Sequence, residues 1–183
     1  MNTNSLFDMA QLAEASYADF WDDSINQVIT DPDGVKTALI NRKFSNTQAD
    51  KFLLSWKVVH HQPNTATGFS ATLFESKHNT GQYVFAARGT AGVIDLVGAD
   101  ILEIVGHGLA YSQITDMYNY WQWLNATSGS TYQVAKITDF VAQLAPTISF
   151  ESSDVAYSTG DPKAAGLGIT TNVANIDVTG QNQ

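Results

Sequence analysis

The sequence predicts an α/β fold, or its α+β variant, and three observations carry that prediction. Apolar residues near the N-terminus recur at helical spacing. Three strand-like runs follow within residues 56–87, and helical and strand-like stretches then alternate to a last short run near the C-terminus. With 183 residues, 44% of them hydrophobic, the chain is long enough for one domain, 1–183, around a buried core.

The opening helix is read from Leu6, Ala10, Ala13, Tyr17 and Phe20, whose steps of three and four make one apolar stripe, with Asn4 or Ser5 as its cap. Asp31-Pro32-Asp33-Gly34 is turn chemistry, and the polar stretch after it to Asp50 reads as loop with at most one short strand or helix. Residues 56–61, 69–74 and 83–87 are the strand-like runs, the last two joined by the tight turn His78-Asn79-Thr80-Gly81. The third run is apolar on both faces, as a central strand would be. Residues 92–105 and 110–125 read as helices. Tyr111, Ile114, Tyr118, Trp121 and Leu124 form the buried stripe of the second, with Met117 beside them. Residues 127–150 are mixed, with a short helix at 138–145 ended by Pro146, and Asp161-Pro162 opens another at 163–166. A short strand at 174–180 comes last.

Charge narrows the partners. Only 15% of residues are charged and the net charge is −9, which argues against nucleic acid and anionic lipid headgroups but not against a neutral ester or lipid substrate. The chain has no cysteine, so disulfides, thiol nucleophiles and thiolate metal sites are excluded together. Residues 1–8 lack the basic start and apolar core of a cleavable signal peptide, and no run approaches the ~20 apolar residues of a membrane span. A soluble protein without a transmembrane segment is expected.

Chemistry is most legible at Arg88-Gly89-Thr90, directly after the apolar third run. A strand that ends in a glycine-containing turn leaves backbone N–H groups fixed where a negative charge can develop. The stretch "YVFAARGT…IDLVGAD" resembles the class 3 lipases, in which a strand runs into R-G-T or R-G-S and a helix carrying D-(W/L)-x-x-D follows. Asp95-Leu96 and Ala99-Asp100 stand in those places, and His107-Gly108-Leu109 is similar to the family's H-x-G-F segment. The stretches "MAQLAEASYADF" and "QITDMYNYWQWL" are similar to bacterial members, including large exported lipases that end in calcium-binding repeats. The resemblance implies a partial α/β-hydrolase-like sheet with flanking helices, the N-terminal half of that fold. It makes Thr90 the oxyanion-hole residue and Arg88, Gly89, Asp100 and Gly180 structural supports.

The same resemblance locates what is missing. In the family a strand of the type "(I/V)DVTG" runs into H-S-x-G-G, whose serine is the nucleophile on a sharp elbow. Here Ile176-Asp177-Val178-Thr179-Gly180 is followed by Gln181, Asn182 and Gln183, and no G-x-S-x-G occurs anywhere. The family's acid and base lie downstream of the elbow, so none of His60, His61, His78 and His107 is its catalytic histidine. Each reads instead as a surface or loop residue, or for His107 a packing residue. His60 and His61, neighbours on a strand, point to opposite faces and cannot share a metal. Asp22-Asp23 and the 31–34 turn lack the ligand spacing of a calcium loop. Glu75, Glu103 and Glu151 form no acid/base pair, and Trp56, Trp121 and Trp123 read as core.

The expectation is the N-terminal domain of a serine lipase or carboxylesterase, exported to the cell exterior without an N-terminal signal peptide and inactive by itself. No cofactor is expected in this segment, while the resemblance allows calcium in a longer protein. The alternatives are a non-catalytic domain that binds lipid or protein through the aromatic stretch 111–123, or a truncated pseudo-hydrolase. An apolar sheet edge left open after residue 180 predicts a homo-oligomer or a rearranged C-terminus.

Overall fold

A computed structural model of the chain describes residues 3–88, 111–127, 131–138, 147–154 and 176–181. Its elements are, in order, α1 (Thr3–Ala15), β1 (Trp21–Asp22), β2 (Gln27–Val28), α2 (Pro32–Asn41), α3 (Asn46–Ser55), β3 (Trp56–Gln62), β4 (Ser70–Ser76), β5 (Tyr83–Arg88), α4 (Tyr111–Asn125), β6 (Thr131–Thr138), β7 (Thr147–Asp154) and β8 (Ile176–Gln181). This is the mixed helix-and-strand composition of an α/β chain. The backbone divides into two units. One comprises Met1–Asn64, Phe69–Gly89 and Val173–Gln183, the other Thr65–Gly68 and Thr90–Asn172.

In the first unit α1 ends at Ala15, short of the expected stripe to Phe20. The Ser16 hydroxyl turns back onto the Ala13 carbonyl (2.7 Å), and Tyr17 and Ala18 donate to carbonyls only three residues back, which tightens the exit into a turn. Tyr17 and Phe20 are still buried, but they reach the core from the turn and the approach to β1. Asn4 and Ser5 lie inside the helix rather than ahead of it.

The stretch expected to be loop, 31–50, holds two helices instead. Asp31 is the N-cap of α2, its carboxylate accepting the Gly34 N–H at 2.7 Å, and Pro32 occupies the first helical position. Ser45 caps α3 in a reciprocal box: its hydroxyl accepts the Gln48 N–H (3.2 Å) and the Gln48 side chain accepts the Ser45 N–H (2.9 Å). Asp-Pro and Ser-x-x-Gln serve turns and helix starts alike. The apolar positions behind them decide, and Val35, Ala38, Leu39, Ala49 and Phe52 are all buried at helical spacing.

The sheet of this unit has four strands in the order β3-β4-β5-β8. The first three are antiparallel neighbours, and β5 pairs with β8 in parallel. The third strand-like run thus has a partner on both sides, as its apolar faces predict. A bulge between Val58 and His60 shifts the β3 register. Between β4 and β5 the turn closes through Gly81, whose φ of 86° is the left-handed conformation glycine adopts without strain. Helix α1 packs on β5 and β8. The core between helices and sheet carries a ladder of edge-to-face rings: Phe44–Phe52 (6.3 Å), Phe52–Phe74 (5.5 Å), Phe74–Phe20 (6.0 Å) and Phe20–His61 (5.7 Å).

In the second unit β6 and β7 form an antiparallel hairpin within the stretch read as mixed. The expected helix at 138–145 begins on Thr138, which is the last residue of β6; its other residues, and the helices read at 92–105 and 163–166, lie outside the described residues. Helix α4 forms where it is expected, but its buried face is rotated. Thr115, Tyr120 and Leu124 are buried, whereas Ile114 is 41% and Met117 36% exposed. Polar bonds set the rotation. The Asn119 amide pairs with the Ala135 peptide through both groups (2.7 and 2.9 Å), and Gln113 and Asp116 bind Thr67. Among the described residues no helix is long and apolar enough to cross a membrane.

Candidate functional site

The parallel pairing of β5 with β8 gives the sheet one edge where two strands end together. Their register runs from Tyr83 beside Ile176 to Ala87 beside Gly180 and Arg88 beside Gln181. The carboxyl ends of adjacent parallel strands are where open α/β sheets gather ligands, because the residues after each strand begin there and present unpaired backbone groups. The two sequence segments singled out for chemistry, the one entering Gly89-Thr90 and the one through Gly180, thus end side by side. Gly89, Thr90 and Asp100 themselves lie outside the described residues.

Arg88 is half-buried at the end of β5, and its guanidinium donates to the Asn64 side-chain oxygen at 2.6 Å. That bond ties the strand end to the chain leaving β3 and orients the arginine. Asn64 carries no sequence signal of this role, since the contact spans the width of two strands.

Beside this end lies a group the sequence reading misplaced. His61, expected at the surface, is only 3% exposed. Its Nδ1 is 2.8 Å from the Thr72 hydroxyl, the Phe20 ring meets it edge-on, and its Nε2 stands 3.6 Å from a carboxylate oxygen of Asp19. Burial pushes the His61 pKa down to about 3, and the nearby His60 and Arg88 charges push the same way. The ring is therefore neutral at ordinary pH, and its approach to the well-exposed Asp19, too long for a hydrogen bond, is not an ion pair. The order carboxylate, imidazole, hydroxyl superficially matches a hydrolytic relay. Thr72 is fully buried, however, so its oxygen meets no substrate, and the trio acts in packing. The strand pattern alone does not show this: the bulge after Val58 breaks the alternation and returns His61 to the inner side, opposite Thr72.

The remaining candidates sort by their partners. Glu75 is buried on β4. Burial alone would raise its pKa, but the Lys57 ammonium at 2.8 Å and the Gly81 N–H at 3.0 Å outweigh it and hold the carboxyl below its ordinary value. A carboxylate kept ionised in this way is no general acid. The Asp22 carboxylate accepts from the Ser24 N–H and hydroxyl (2.9 and 2.6 Å), which is turn chemistry. His60 is half-buried and His78 exposed, while His107 and Glu103 lie outside the described residues. Trp56 is core, whereas Trp121 and Trp123 are half-buried. Among the described residues no cluster of three histidine, aspartate or glutamate side chains can hold a metal ion.

No protein-family model, curated protein or solved structure matches this chain.

Proposed function

We propose that this chain is the N-terminal portion of a serine ester hydrolase of the lipase type. It would supply the early strands of a hydrolase-like sheet and the oxyanion side of the site, and would turn over no ester by itself. One observation carries the reading. Strand β5, which leads into Arg88-Gly89-Thr90, lies parallel and in direct register with β8, which leads through Gly180. An oxyanion donor and a nucleophile must both stand within about 3 Å of one carbonyl group. Neighbouring parallel strands that end at one edge favour such an arrangement.

In the complete protein a serine beyond Gln183 attacks the ester carbonyl and transfers its proton to a histidine. The carbonyl oxygen takes up the negative charge, and the Thr90 N–H stabilises it. Collapse expels the alcohol with that proton and leaves an acyl-enzyme, which water then cleaves. Arg88, tied to Asn64, acts as a positioning residue for the loop that carries Thr90, and Asp100 supports the same loop. The low charge density of the chain suits a neutral ester substrate.

The test compares two polypeptides with a fluorophosphonate probe and a short-chain nitrophenyl ester. The 183-residue chain is expected to show neither labelling nor turnover. The product of the full reading frame is expected to label on a serine beyond Gln183. A stop codon directly after Gln183 would sink this reading and favour an interaction domain. Stoichiometric labelling of the short chain would show a nucleophile where none is expected.

A further inference from the structure

A recess lies within the first unit, between α1 and the turn that joins α2 to α3. It encloses about 300 Å³, at the lower end of the range for small-molecule sites. Phe7, Ala10 and Phe44 supply its apolar lining, Arg42 and Lys43 its positive charge, and Glu14 a single negative one. Phe7, Ala10 and Glu14 follow at helical steps along one side of α1, and Phe7 is 63% exposed.

The two cations differ from three others in the described residues. Lys36 is paired with Asp50, Lys57 with Glu75, and Arg88 with Asn64. Arg42 instead lies over the Tyr17 ring, 4.8 Å from its centre, and its buried Nε has no hydrogen-bond partner among the described residues. A guanidinium held over a ring, with one N–H lacking a partner, suits an oxyanion. Lys43 follows with a φ of 75°, a left-handed conformation that glycine would adopt without strain. A charge at the end of α2 would satisfy the helix dipole. That alone accounts neither for a strained lysine where glycine would serve nor for an exposed phenylalanine beside it.

We propose that this recess binds a small organic carboxylate, with Arg42 and Lys43 taking the carboxylate and Phe7, Ala10 and Phe44 its apolar body. In a chain of net charge −9, adjacent cations over an apolar floor select an anion that carries hydrophobic surface. Glu14 opposes that anion and limits its affinity.

The experiment titrates phenylbutanoate into the full chain and follows the backbone amides by heteronuclear NMR. Saturable shifts are expected at residues 7–14 and 42–48. Lys43→Gly removes the charge while relieving the backbone, so it keeps the fold; it is expected to weaken binding about tenfold, the effect of losing one charge-assisted contact. Arg42→Gln should weaken binding at least as much, and Glu14→Gln should tighten it. Phenylbutanamide, which lacks the charge, and inorganic phosphate, which lacks the apolar body, are expected not to bind. The proposal is overturned if phenylbutanoate gives no saturable shifts at these residues. It is equally overturned if the amide or phosphate binds as well, or if Lys43→Gly leaves the affinity unchanged.

Discussion

Arg88 and Gln181 are register partners at the ends of two strands that run in the same direction. This is the one parallel contact among the described strands, and it joins segments nearly a hundred residues apart in sequence. Such pairing needs a crossover connection, whereas the antiparallel β3-β4-β5 run needs only short turns. The proposed ester-hydrolase edge depends on it.

The absence of cysteine makes that register directly testable. Ala86 and Thr179 are partners across the parallel ladder, and adjacent strands lie about 4.8 Å apart, within disulfide reach. Ala86→Cys combined with Thr179→Cys is expected to cross-link under mild oxidation, read as protection of both thiols from alkylation. Ala86→Cys combined with Val178→Cys, one residue out of register, should stay reactive. Efficient closure of the second pair, or none in the first, would contradict the pairing.

The buried His61 makes stability depend on pH with a definite sign. Its folded pKa of about 3 lies below the ordinary value of 6.5, so the unfolded chain takes up the proton first. The stabilisation from keeping the ring neutral is complete above pH ~6.5 and is lost progressively as pH falls toward 3. Between pH 7 and pH 5 the loss amounts to about 2 kcal/mol. Urea unfolding at both pH values measures it, and His61→Gln, which keeps a polar group for Thr72, should remove most of the difference. An equal pH dependence in the two proteins would place the titration elsewhere.

Much of the fold was legible because its signals are local. The runs at β3, β4 and β5 alternate or stay apolar over several residues, and a tight turn at 78–81 joins the last two. The positions of α4 and β8 were equally visible. What failed depended on choices among local partners. Asp31-Pro32 and Ser45-x-x-Gln48 fit a turn as well as a helix start, so two helices were read as loop. The α4 face was assigned by counting apolar residues, but Asn119 bonding the Ala135 peptide rotates the helix and leaves Ile114 outside. His61 was placed outside because a bulge changes the strand period, and the period assumed in reading alternation does not survive one extra residue. The site was legible only in part: Arg88 and Gly180 were visible as the ends of two strands, while their adjacency across the sheet, and the hold of Asn64 on Arg88, are tertiary.

The start of α2 offers a test in which propensity and packing oppose each other. Alanine is favoured over glycine in a helix by about 1 kcal/mol, so Gly34→Ala would ordinarily stabilise the protein. A methyl group at Gly34 would stand 2.6 Å from the Ile29 Cγ2 and 2.7 Å from a carboxylate oxygen of Asp31. Neither can yield freely. Ile29 packs against the core and its N–H bonds the Phe20 carbonyl at 2.8 Å, while the Asp31 carboxylate caps the helix through the Gly34 N–H itself. Displacing the cap costs about 1 kcal/mol, and disturbing Ile29 adds to it. Gly34→Ala is therefore expected to destabilise the chain by about 1 kcal/mol, seen as a lower urea midpoint with an unchanged slope. In an Asp31→Ala background the cap is already gone, so the same substitution should cost less, and the difference measures the coupling. A raised midpoint in the single variant would show that the Asp31 and Ile29 side chains move aside without cost.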